Sequence, residues 1–118
     1  MPHDPQLLKG VLPLLLMHLL AEQESYGYEV VQRLQAAGLP DVLEGTVYPA
    51  LSRLEREGRV SARLVSSSSG PARKYYRPTP AGYQALADGT ATWTRHTAIV
   101  EAVLTRALPD APAHPKRG

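Results

Sequence analysis

The sequence predicts a mainly α fold with one small β-hairpin and a long C-terminal helix. Three observations predict it: apolar residues at helical spacing up to Glu57, a stretch of strict alternation just after it, and a heptad-like seam beyond Thr79. At 118 residues, 43% hydrophobic and 20% charged, the chain suits one soluble domain plus one extra element and excludes two large domains.

The first element lies in the almost wholly apolar run from Leu12 to Leu20. Pro13 stands near its start, where a fixed φ and a missing N–H are harmless in a first helical turn. This predicts a buried helix over residues 13–22, preceded by a shorter helical piece with Asp4 as cap and Pro5 at its first position. SYGYEVVQRLQAAG then offers Ser25 as a cap, Val30, Val31, Leu34 and Ala37 on one face, and Gly38 as a stop, giving a second helix over residues 26–37. In TVYPALSRLEREG, Thr46 as N-cap puts Pro49 at the third helical position, whose N–H has no partner in any helix. On this third helix Val47, Ala50, Leu51 and Leu54 share one face, and Pro49, Ser52, Arg53 and Arg56 share the opposite one.

Beyond a stop at Gly58, Val60, Ala62 and Leu64 alternate with Arg59, Ser61 and Arg63, the period-2 signature of a half-buried strand. SSSSGPA reads as a flexible tip. RKYYR, ended by Pro78, reads as the returning strand, with Tyr75 and Tyr76 on opposite faces so that one enters the core. Thr79-Pro80 opens a helix that runs to about Leu108, where Pro109 stops it. Along it Tyr83, Leu86, Thr90, Trp93, Thr97, Val100 and Leu104 form a seam, roughly 40 Å long, that a small domain cannot cover alone. A second copy of the chain is expected over it. Thr90, Thr97 and Gly89 favour a looser helical interface than a two-stranded coil. The expected organisation is residues 1–78 as one domain, 79–108 as the dimerisation helix, and 109–118 as a disordered tail.

Composition narrows the function. Cysteine is absent, and His3, His18, His96 and His114 are too far apart for a zinc motif, so neither a metal nor a cofactor is expected. Ser66 to Ser69 lack a nucleophile elbow, no carboxylate pair has forced spacing, and no glycine-rich phosphate loop occurs, which argues against an enzyme. With neither a signal peptide nor an apolar run of membrane-spanning length, a cytoplasmic protein is expected. The formal net charge is only +2, yet Arg53, Arg56, Arg59, Arg63, Arg73, Lys74 and Arg77 fall in one window against Glu55 and Glu57 alone. A polyanion should meet the chain through its middle.

Three helices followed by a basic hairpin is the order of a winged helix-turn-helix, whose third helix enters the DNA major groove while the hairpin touches the backbone beside it. The strings SYGYEVVQRL, GTVYPALSRLEREGRV and GPARKYYRPTPAGYQAL also resemble the PadR-type transcriptional regulators, from about Leu8 to Leu86, and the single C-terminal helix resembles the short subclass that dimerises through it. The resemblance implies a homodimeric repressor that binds a palindromic double-stranded operator and releases it when a small effector binds. The uncharged tip Ser66 to Ser69 departs from a basic wing.

The DNA-binding candidates are Thr46, Tyr48, Ser52, Arg53, Arg56, Arg73 and Lys74. Arginines on a groove-facing helix bind guanine edges bidentately, and hydroxyls and wing cations meet phosphates. Plainer roles stand beside these: a solvated face for Arg53 and Arg56, a cap for Thr46, packing for Tyr48, and edge-strand solubility for Arg73 and Lys74. Tyr26 and Tyr28 read as structural, though the resemblance suggests that one reaches a phosphate. The interface candidates are Tyr83, Leu86, Thr90, Trp93, Val100 and Leu104. Trp93 and Thr97 are the ligand candidates, since a large ring between small polar residues leaves room for a pocket; drug-sensing members of the resembled family stack planar ligands on such a Trp. The expected effector is a flat neutral or anionic aromatic, and the plain role of Trp93 is a core anchor at the interface. The rival functions are a protein-interaction module, in which the basic window takes an acidic partner, and a small-molecule sensor or enzyme without DNA.

Overall fold

The computed structural model describes residues 5–110. Its elements are α1 (Pro5–Glu22), β1 (Ser25–Tyr26), α2 (Gly27–Ala36), α3 (Glu44–Arg56), β2 (Val60–Ser67), β3 (Gly70–Pro78) and α4 (Pro80–Leu104). The three strands form one antiparallel sheet in the order β1-β3-β2, with Ser25 opposite Tyr76 and Ala62 opposite the other edge of the same Tyr76. Leu12, Leu16 and Leu20 of α1, Val30 and Leu34 of α2, and Val47, Leu51 and Leu54 of α3 make the core, closed by Val60 and Tyr76 of the hairpin.

The apolar faces of α2 and α3 are those the periodicity predicts, except that Ala37 is exposed and serves as the C-cap of α2. Several boundaries differ from expectation. The two predicted N-terminal pieces are one 18-residue helix with Pro13 inside it. Proline removes a single bond of the ladder, and the burial of Leu8 and Leu12 beside Leu16 holds both sides of it on the same core. The expected Asp4 cap lies outside the described residues, as do positions 111–118 of the expected tail.

Ser25 does not cap α2. It is fully buried in β1, donates its hydroxyl to the Gln23 carbonyl at 3.1 Å and accepts from Arg33 Nη1 at 2.9 Å. Pairing with β3 satisfies this segment's backbone better than a helical start would.

Helix α3 begins at Glu44, two residues before the expected cap. Leu43 is its extended N-cap, its carbonyl accepting from the N–H groups of Thr46 and Val47. Buried Val42 anchors the approach, and Glu44 places negative charge in the first turn, where the helix dipole favours it. Thr46 is therefore inside the helix, and Pro49 sits in the second turn.

The hairpin is longer than expected. Strand pairing reaches Ser67 and Gly70, leaving Ser68 and Ser69 as the turn, with an irregular register between Val65 and Ser67. Leu64, expected on the core face, is 72% exposed because the hairpin has by then run past the helices. At α4 the start signal holds: Thr79 Oγ1 accepts from the Gly82 N–H at 3.0 Å and donates to the Gly58 carbonyl. The helix ends at Leu104, four residues short of the expected stop. Its first turns pack Ala85 and Leu86 on the core, and its remainder extends away, which makes the molecule 66 × 30 × 22 Å.

Candidate nucleic-acid interface

Helix α3 has four distinct sides when its residues are set at 100° intervals. Val47, Leu51 and Leu54 point inward and are buried. The opposite ridge carries Gly45, Pro49, Ser52 and Arg56, all exposed. Thr46 and Arg53 lie on the flank toward α1, and Tyr48 and Glu55 on the flank toward the hairpin. Ser52 and Arg56 are thus the outermost hydrogen-bonding side chains of the helix, with nothing beside them on the ridge but a glycine and a proline.

The hairpin is tied to this helix through charge. Lys74 Nζ donates to Glu55 Oε1 at 2.9 Å and lies 5.5 Å from the Tyr76 ring centroid. The bond from Glu55 raises the Lys74 ammonium above its ordinary pKa, so it is fully cationic at neutral pH. Arg73, next along β3, stacks over Tyr26 at 4.5 Å, and Tyr26 in turn meets Tyr75 at 5.4 Å between ring centroids. Tyr48 completes the corner, close against Gly27 at the start of α2: a Cβ on Gly27 would stand 2.6 Å from Tyr48 Cε1. Burial pushes the Tyr48 phenol up, with Glu44 adding to it, so its hydroxyl remains a donor.

The cations are not idle in the free chain. Arg53 Nε donates to Glu57 at 3.1 Å, and Arg63 makes a two-bonded pair with Glu24 at 2.7 and 2.8 Å. Such exposed pairs contribute about 0–1 kcal/mol each. A phosphate or a base edge can replace the carboxylate at little cost while the pair keeps the side chain extended. Arg56 makes no ion pair among the described residues.

On the far side of α1, a cleft of about 580 Å³ separates it from α4, lined by Val11, Leu14, Met17, Trp93 and His96, with Asp88 and Arg59 also contributing. Thr92 rather than Thr97 faces this space. Of the seam, Leu86 packs partly on its own core, whereas Tyr83, Trp93, Val100 and Leu104 are between 51% and 77% exposed. Among the described residues no cluster of His, Asp and Glu could hold a metal, and no helix is long and apolar enough to cross a membrane.

Three helices, a hairpin laid beside the third, and a strand from before α2 closing the sheet together make a winged helix-turn-helix. The profile of the transcriptional regulator PadR-like family matches residues 15–88, from the middle of α1 into α4. The chain belongs to the PadR-like family. A transcriptional regulator of Mycobacterium tuberculosis is 42% identical to it over 74 residues, which cover 62% of this chain and 66% of that protein. The crystal structure of a PadR-like transcriptional regulator from Bacillus cereus matches with a TM-score of 0.78 at 35% identity, over 86% of this chain and 99% of that one. A PadR family regulator from Eggerthella lenta matches with a TM-score of 0.79 at 31% identity, over 86% of this chain and 88% of that one. PadR-like chains are DNA-binding transcriptional regulators, not enzymes, and so is this one.

In this PadR-like chain the seven DNA-binding candidates fall on two adjoining surfaces. Ser52, Arg53 and Arg56, with Thr46 behind them, belong to α3, and Arg73 and Lys74 to the wing; Tyr48 lies at the junction. Sequence reasoning missed Glu55, the carboxylate that pins Lys74, and the Tyr26 platform under Arg73. No local pattern exposes a contact spanning 19 or more residues; only the period of β3, read against α3, would have hinted at it.

Proposed function

We propose that the chain is a homodimeric, sequence-specific repressor, with residues 1–78 as the DNA-binding domain and 79–108 as the dimerisation helix. Thr46, Tyr48, Ser52, Arg53 and Arg56 would meet the major groove and its edges, and Arg73 and Lys74 the flanking phosphates. The observation that carries this is the Lys74–Glu55 bond, which holds the wing cations against the hairpin flank of α3, next to its exposed ridge. A protein-interaction module would need neither that ridge nor its open arginine. A regulator working on chromosomal DNA belongs in the cytoplasm.

The homodimer reading is supported by the apolar side chains that α4 leaves uncovered: Tyr83, Trp93, Val100 and Leu104 of the seam, with Ile99 and Val103 beside them. A contiguous apolar strip on a projecting helix is a partner surface. A two-fold pair would present two recognition helices to a palindromic operator. The α1–α4 cleft supports Trp93 as the stacking surface for a planar effector, Thr97 standing one turn further along. Asp88 in that cleft means planar cations belong in the screen beside neutral and anionic aromatics.

The test is duplex binding followed by anisotropy. Protection of a palindrome in its own promoter, with an affinity at least about a thousandfold above random DNA and falling steeply with salt, is expected. Binding that ignores sequence, or none at low salt, overturns the reading. Saturable quenching of the lone Trp93 by planar aromatics, with release of DNA, is expected of the effector. Quenching without release removes the coupling.

A further inference from the structure

A second cleft, of about 860 Å³, lies between the N-terminal half of α1 and the flank of α3. It adjoins the Trp93 cleft, with Pro13 and Arg59 lining both, but extends toward α3 rather than α4, and no aromatic ring lines it. Its apolar lining comes from Leu8, Leu12, Pro13, Ala50 and Leu54. Lys9, Arg53, Arg56 and Arg59 contribute positive charge against the single carboxylate of Glu57. Glu57 is engaged with Arg53 at 3.1 Å and lies 4.0 Å from Arg59, whereas Lys9 and Arg56 have no ion pair among the described residues.

An aliphatic lining of ligand size beneath two uncompensated cations has a definite chemical complement. We propose that this cleft binds an amphipathic anion with an aliphatic body, a fatty carboxylate in its simplest form, whose head group is held by Lys9 and Arg56. Absence of a ring disfavours planar aromatics here, and the charge excludes cations.

The consequence rests on the DNA-binding reading, because Arg56 and Arg53 serve both sites. An anion seated here neutralises the outer cation of α3 and competes directly with DNA, without any change in the spacing of two subunits.

The test uses the full chain with sodium decanoate as probe, followed by titration calorimetry without DNA. One decanoate per chain is expected, with affinity rising about tenfold for every two methylenes added from hexanoate upward. Lys9→Gln should weaken decanoate about tenfold through loss of a charge-assisted contact, keep duplex affinity within about twofold, and retain the wild-type circular dichroism. Trp93→Ala should leave decanoate binding unchanged. In a separate arm, decanoate but not propionate at equal ionic strength should displace a labelled 30-base-pair duplex at low salt. Absence of decanoate binding, indifference to Lys9→Gln, or loss in Trp93→Ala overturns the site. If the duplex never binds at all, the DNA reading fails while the calorimetry still decides the cleft.

Discussion

Arg56 and Arg53 look alike in sequence and differ in setting. Arg56 stands on the outer ridge of α3 with no carboxylate partner among the described residues, while Arg53 leans on Glu57 at the α1 flank. A bidentate contact to a guanine contributes roughly 1–3 kcal/mol of discrimination. Arg56→Ala is accordingly expected to lower operator affinity by about that amount and to leave random DNA little changed, with Arg53→Ala costing less. Equal losses on both DNAs, measured by anisotropy, would assign these residues to phosphates.

The Arg63–Glu24 pair makes a different kind of prediction. The two bonds donated by Arg63 hold the Glu24 carboxyl below its ordinary value. A folded-state pKa below the unfolded one adds stability above the ordinary carboxylate range and loses it as pH falls through the depressed value. Arg63→Gln should therefore lower Tm at pH 7, and the gap from the wild type should close on acidification below about pH 4. A gap that does not shrink on acidification would mean that Arg63 acts through packing rather than charge.

At the scale of elements, the wing and α4 are joined to the core by close backbone approach. A Cβ on Gly82 would collide with the Arg59 carbonyl oxygen, itself already accepting from the Thr79 N–H at 3.0 Å. Backbone on both sides cannot yield, so Gly82→Ala is expected to cost about 1–3 kcal/mol, visible as a lowered urea midpoint. An unchanged midpoint would show that α4 can shift away without loss. The wing itself is tested by Arg73→Ala with Lys74→Ala. The pair should weaken binding across all sequences and flatten the salt dependence by roughly one to two units of slope; an unaltered slope would take the wing out of the interface.

The elements differ in how plainly their residues declare them. Val47, Leu51 and Leu54 keep helical period, and Thr79-Pro80 is a strong start, so α3 and α4 were legible. Ser25 was not: a serine ahead of an apolar run has the pattern of a cap, and only Tyr76, 51 residues away, makes it a strand residue. Likewise Thr46 lost the cap to Leu43, whose extended backbone and carbonyl do the work that a side chain usually does. The candidate site divides the same way. Its cations were visible as a charge window, and Glu57, the partner of Arg53, lies one turn on within it, but the Lys74–Glu55 and Arg63–Glu24 pairs join different elements.

For the molecule as a whole, the proposed homodimer places the largest demand on α4. Val100 touches no core of its own and is 52% exposed, so Val100→Asp should leave the fold intact. It should yield monomers by light scattering and abolish tight operator binding, since two recognition helices roughly 34 Å apart must act together. A monomer with full operator affinity would refute the dimeric arrangement. Leu86→Asp is a poorer probe, because Leu86 packs on the chain's own core and its loss unfolds as well as separates.

The hairpin carries a consequence for how such a chain can diverge. At its root β3 is paired on both edges, by β1 and by β2, whereas beyond Val65 and Arg73 the two strands pair only with one another and end in Ser68-Ser69. Lengthening a loop costs only the slow logarithm of its length, so residues can be added or removed at that turn while the root keeps its register. In the proposed binding mode, reach along the DNA backbone is then a quantity that mutation adjusts independently of the α3 face. A wing lengthened by a Lys-bearing insertion should contact a further phosphate and extend the protected footprint without altering which bases are preferred.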